Sequence, residues 1–112
     1  MECVTLCKEF VCENGAKLSR FDLDFDALST ADLKMISKLE ALSVDTLAGV
    51  QNSGKISLKY LSFPFQIASA FVAAMKGTPG LTVSDYTRIP MRDAMNMAQA
   101  AYFFWLESAS SV

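Results

Sequence analysis

Three groups of residues have types and spacings that could do chemistry. Gly49-Val-Gln-Asn-Ser-Gly54-Lys55-Ile56 nearly spells the phosphate-binding pattern G-x-x-x-x-G-K-[ST]. Its glycines would let backbone amides cradle a phosphate, and Lys55 would reach the far end of it. The last position is Ile56, so the hydroxyl that ligates magnesium is missing, and no strong strand before or helix after frames the loop. It reads as a plain polar loop that binds no nucleotide. Asp22-Leu-Asp-Phe-Asp26 opens like a calcium loop, but Ala27 stands where glycine is needed and Leu33 where the loop's last glutamate belongs. A solvated acidic strand face accounts for the three aspartates without an ion. Cys3, Cys7 and Cys12 raise the question of zinc. The chain has no histidine and no fourth cysteine, and the spacings do not form paired hooks, so small buried or half-exposed thiols are expected. Without histidine there is no ready general base, and no serine or cysteine sits in a recognisable nucleophile context. The expectation is a protein that is not an enzyme and holds no cofactor or metal.

The elements that would position these groups begin with Phe21-Asp-Leu-Asp-Phe-Asp-Ala-Leu-Ser-Thr-Ala-Asp-Leu33. Phe21, Leu23 and Phe25 alternate with Asp22, Asp24 and Asp26, the period of a half-buried strand. Ser29 then caps a helix with Asp32 at its third position, and Leu33, Ile36 and Leu39 recur at helical spacing over residues 30–42. Upstream, residues 4–11 read as a first strand. Asn14-Gly15 supplies the positive φ angles of a tight hairpin turn, and residues 17–25 return. The stretch 43–60 offers a helical turn at 45–50, the polar loop and a short alternating strand at 56–60.

From Ser62 the pattern is helical. Ile67, Ala68, Phe71, Val72 and Met75 line one face, with Gln66, Ser69 and Lys76 opposite. Gly77-Thr-Pro-Gly80 stops that helix, and Thr82-Val-Ser-Asp85 opens a short one that Pro90 interrupts. The last helix spans about 90–107. At about 100° per residue, Met91, Ala94, Met95, Ala98, Ala101, Tyr102, Trp105 and Leu106 share a face, which leaves Phe103 and Phe104 off it. The expected core therefore takes Tyr102, Trp105 and Leu106. Phe103 and Phe104, with Met97, are assigned to a surface for another chain.

Composition narrows the class. A chain of 112 residues makes one domain, here 1–107 with a frayed tail at 108–112. Net charge is −2, with no basic stripe to neutralise phosphates, so nucleic acid is not an expected partner. Residues 1–60 hold 16 of the 22 charged side chains, which leaves the second half apolar. No run reaches the roughly 18 apolar residues of a membrane span, and no signal peptide is evident. Three cysteines near one end make no disulfide framework, which fits a reducing cytoplasm. The fold expected is α+β, an N-terminal β-hairpin packed on three or four helices.

The order of these pieces resembles the small tail assembly chaperones of long-tailed bacteriophages. It lies in the turn at Asn14-Gly15, the helix start Leu28-Ser29-Thr-Ala-Asp32-Leu33 and the alanine-rich helix from Phe63 to Met75. It continues in the break at Gly77, the start from Leu81 to Asp85, and a last helix ending in aromatic residues and leucine. The loop at Gly49 to Lys55 has no family counterpart, and Pro90 splits a helix that in the family more often runs on. The resemblance implies a non-enzymatic role in the cytoplasm of an infected or lysogenic bacterial host. Such proteins coat the helical tape-measure protein while the tail tube polymerises around it, and longer forms recruit tail tube protein. Self-association is a further expectation. The alternative is a structural virion protein, a tail tube or head–tail connector subunit, which should be richer in long strands.

Overall fold

Alternating apolar and polar residues on either side of Asn14-Gly15 fold the N-terminus into an antiparallel hairpin, β1 (Glu2–Val11) and β2 (Lys17–Leu23). The computed structural model describes residues 2–44 and 63–110. Val4 pairs with Phe21 and Glu2 with Leu23, and the register shifts between Thr5 and Phe10. One face of the hairpin is buried: Val4, Leu6 and Phe10 from β1, Phe21 and Leu23 from β2, with Cys12 just past the end of β1. Of the pair Asn14-Gly15 only the glycine has positive φ, at 92°, so the expectation that Asn14 shares that conformation is corrected. Asn14 acts through its side chain. Its Oδ1 accepts the Ala16 N–H at 3.0 Å, and its Nδ2 donates to the Gly80 carbonyl at 3.2 Å.

β2 stops at Leu23, short of the expected Phe25. Leu23 already pairs with Glu2 at the start of β1, so the next amide has no strand opposite it. The Asp24 N–H bonds the Ala73 carbonyl instead, at 3.0 Å. A 3-10 turn, Phe25–Ala27, then carries Phe25 into the core. The Ser29 N–H donates to Asp32 Oδ2 at 2.8 Å, the capping box read from the sequence. It opens a 3-10 turn that runs into α1 (Leu33–Val44). Ile36 and Leu39 are buried, whereas Leu33 is exposed. The readings made for residues 45–62 lie outside the described residues.

α2 (Phe63–Gly77) is the helix the others surround. It packs against α1, α3 (Met91–Ser110) and β2. Of its expected polar side only Lys76 stays exposed, because Gln66 and Ser69 are buried along with Ala68, Ala70, Phe71, Val72, Ala73 and Ala74. A helix covered on several sides has little wet face to keep polar. Its small residues let the neighbouring elements approach closely. The end of α2 locks onto the hairpin. Thr78 Oγ1 accepts the Asp22 N–H at 2.8 Å and donates to the Asp22 carbonyl at 3.1 Å. A Cβ on Gly77 would sit 2.3 Å from that same carbonyl oxygen, so only glycine fits. Lys76 reaches Asp32 at 3.1 Å, tying the end of α2 to the start of α1. Thr82 and Asp85 then form the second capping box, over a 3-10 turn, Val83–Arg88, and α3 begins after Pro90. The described residues thus form an α+β fold of one hairpin and three α-helices.

Candidate docking surface

The surface of interest is on α3, whose apolar residues spread around more of its circumference than the core can cover. The buried set is Asp93, Ala94, Met97, Ala98 and Ala101. Phe104 and Trp105 lie partly buried against the core. Met91, Met95, Tyr102 and Leu106 are exposed, as is Phe103 at 55%. The inward face is therefore rotated from the expected one, with Ala94, Ala98 and Ala101 common to both. Two corrections follow. Met97 is 0% exposed and belongs to the core, so it offers nothing to another chain. Tyr102 and Leu106 belong to the surface, not to the core.

The aromatic end of α3 is sorted by its contacts. Phe104, expected on the surface for another chain, instead stacks on Phe25, centroids 4.7 Å apart, and closes the edge of the core beside the hairpin. Trp105 lies 5.6 Å from Phe65, and its Nε1–H donates to Ser69 Oγ at 3.1 Å. Ser69 Oγ in turn donates to the Gln66 carbonyl, so the buried hydroxyl is used twice. Among the described residues, Phe103 has only Tyr102 beside it as an aromatic contact, 5.6 Å away. It lines an open groove of about 430 Å³ between Glu2, Cys3 and Thr5 of β1 and Asn96 and Gln99 of α3.

Two buried carboxylates hold the frame of this surface. Asp93, in the first turn of α3, accepts the Cys7 N–H at 3.1 Å, within the stretch where the β1 register shifts. An acid at this end of a helix also suits the helix dipole. Asp85 accepts the Glu13 N–H at 2.8 Å and the Thr82 N–H at 3.0 Å, and it pairs with Arg88. Burial alone would raise its pKa. The amides of Thr82 and Glu13, the Arg88 guanidinium and the Thr82 hydroxyl outweigh that and hold it below the ordinary aspartate value. Arg88 also stands over the Phe10 ring, 5.1 Å from its centroid. Cys12 is buried nearby, and burial, with the negative Asp85 adding to it, pushes its thiol up against the opposing pull of Arg88. Asp32 is held low chiefly by the Ser29 amide and then by Lys76, against a smaller opposing effect of burial.

The other candidate chemistry stays apart. Asp22 and Asp24 are half-buried and Asp26 is exposed, and Asp22 faces Arg20 at 3.5 Å. Cys3 and Cys7 are exposed free thiols. Among the described residues, no three such side chains are grouped to hold a metal ion, and no helix is long and apolar enough to cross a membrane. The loop at Gly49 to Lys55 lies outside the described residues. No protein-family model, curated protein or solved structure matches the chain.

The exposed stripe of α3 was missed in the sequence because two apolar faces overlap there. Both contain the alanines and Trp105. One extends to Met91, Met95, Tyr102 and Leu106, the other to Met97 and Phe104. The usable signal was the alanines Ala94, Ala98 and Ala101, which are buried and common to both faces.

Proposed function

We propose that this chain is a non-enzymatic assembly chaperone of a bacteriophage tail, which binds the tape-measure protein through the apolar surface of α3 while the tube polymerises. The observation that carries the reading is Phe103, 55% exposed and lining a groove, where the next two rings, Phe104 and Trp105, are partly buried. A helical partner could insert an apolar side chain there and cover a ring whose burial is worth about 1.5–3 kcal/mol. The order of hairpin and capped helices, which resembles that family, supports the same reading. The single hairpin and otherwise helical elements of the described residues favour it over a tube or connector subunit, for which long strands would be expected.

The test is co-expression with the tape-measure protein of the same phage. Wild-type chain should co-purify with it, and Phe103→Ser should lose the partner while melting at nearly the wild-type temperature. A wild-type chain that never co-purifies, or a Phe103→Ser chain that still does, would count against the reading. The neighbouring genes offer a second check. A slippery run before the stop codon, followed by a very long helical reading frame, is the expected arrangement.

A further inference from the structure

The outer edge of β2 is occupied, whereas part of the outer edge of β1 is open. Asp22 turns away from β1, since Thr78 Oγ1 accepts its N–H at 2.8 Å and donates to its carbonyl at 3.1 Å. The Asp24 N–H bonds the Ala73 carbonyl on the same side. Facing residues of an antiparallel ladder exchange both bonds or neither, in alternation along the strand. Cys3 faces Asp22 and Thr5 faces Arg20, so the N–H and carbonyl groups of Cys3 and Thr5 point out from the free edge of β1. Among the described residues nothing bonds them. Farther along, this edge is closed, because the Cys7 N–H reaches Asp93 at 3.1 Å. The open stretch Cys3-Val4-Thr5 has neither a charge nor a proline to discourage another strand. It is one wall of the groove of about 430 Å³, and Asn96, Gln99, Ala100 and Phe103 are the other.

We propose that this groove takes an extended peptide segment of another protein, which adds to the edge of β1 as a third strand. The occupant follows from the wall. Two backbone donors and two acceptors at two-residue spacing match the backbone of an extended chain. A helix spends its own backbone groups internally and would leave all four unpaired. This partner is therefore distinct from the helical one proposed above, and each would exclude the other at Phe103. Added antiparallel, a three-residue stretch exchanges two bonds with Cys3 and two with Thr5. Side chains opposite one another share a face of the sheet. The middle residue of the stretch, opposite the buried Val4, turns with it towards Ala100 and Phe103, so an apolar side chain fits there. Its two neighbours turn outward beside the exposed Cys3 and Thr5, where polar side chains fit. The next residue stands opposite Glu2, a carboxylate that lines the groove, so a cation suits that place.

The probe is the peptide acetyl-Thr-Val-Thr-Lys-amide, added to the isotope-labelled chain and followed by the NMR signals of its amides. Before any peptide is added, the Cys3 and Thr5 amides should exchange with solvent about tenfold faster or more than that of Val4, which the ladder holds. The peptide should then shift the Cys3, Thr5, Asn96 and Gln99 signals, with a dissociation constant below about 10 mM, and slow the exchange at Cys3 and Thr5. The same peptide N-methylated on both threonines lacks the donors that face the Cys3 and Thr5 carbonyls. It should bind about tenfold more weakly or not at all. The proposal is overturned by Cys3 and Thr5 amides as protected as Val4, by the absence of any shift, by shifts confined to α3, or by equal binding of the methylated peptide. Protection of this edge that grows with protein concentration would assign it to a second copy and overturn the proposal as well. None of these outcomes alters co-purification with the tape-measure protein, so the two readings fail separately.

Discussion

Single residues carry much of the cohesion between the hairpin and the helices. Gly77 is where α2 meets the backbone of β2, and an added Cβ would stand 2.3 Å from the Asp22 carbonyl oxygen. The obstacle is backbone, which cannot swing aside as a side chain does. Gly77→Ala should therefore cost about 3 kcal/mol or more in urea unfolding, against the gain in helix propensity that alanine would otherwise bring. A loss under about 1 kcal/mol would show that the end of α2 is free to shift. Asp85 is the second such point, since it joins the hairpin turn, the cap of the Val83–Arg88 turn and Arg88. Its folded pKa lies below its unfolded one, so between the two the unfolded chain binds more protons. Its contribution to stability is present above about pH 3.9 and is lost as the pH falls through the folded value. Asp85→Asn should cost about 2–4 kcal/mol at neutral pH, because an amide cannot accept all of these bonds. The variant should also lose part of the acid-side slope of the stability curve, which the wild type keeps. An unchanged slope would assign the acid sensitivity to other carboxylates.

At the scale of elements, the hierarchy runs outward from α2. Its buried run from Gln66 to Ala74 is enclosed by α1, α3 and β2, and its end is bonded to Asp22 and Asp24. Amides in the middle of α2 should therefore exchange only through global unfolding, while those at the start of α1 should exchange sooner. Native-state hydrogen exchange in low denaturant checks this, and faster exchange in α2 than in α1 would be the contrary result. The same centrality explains what could be read in advance. Period-two alternation marked Phe21 and Leu23 as buried, and the Ser29–Asp32 and Thr82–Asp85 boxes marked both turns, because these signals are local. The burial of Gln66 and Ser69 was not legible. It depends on elements more than thirty residues away in sequence, such as the indole of Trp105 that reaches Ser69. The end of β2 was likewise set by where β1 begins, which no pattern within β2 records. Of the candidate surface, the outward direction of Phe103 could be read from helical spacing. Met97, Tyr102 and Leu106 were misplaced because spacing does not reveal which of two overlapping faces meets α2.

Across the whole molecule, charge is unevenly placed. The acidic positions of β2 and α1 lie in the first half, while the exposed apolar residues of α3 lie in the second, with six charged side chains in its 52 residues. On α3, two adjacent phenylalanines do opposite things. Phe104 is partly buried and stacks on Phe25, which the 3-10 turn after β2 carries into the core, so it couples α3 to the hairpin. Phe103 turns to the groove and meets water. Phe104→Ala should therefore destabilise the fold by about 1.5–3 kcal/mol, through lost burial and a lost ring pair. Phe103→Ala should change stability by less than about 0.5 kcal/mol, as a surface change away from packed features does. Chemical unfolding followed by Trp105 fluorescence reads both, since Trp105 lies 4.9 Å from Phe104 and 5.6 Å from Phe65. Equal losses in the two variants would mean that Phe103 is held by the fold as firmly as Phe104, and the surface proposed for a partner would have to lie elsewhere on α3.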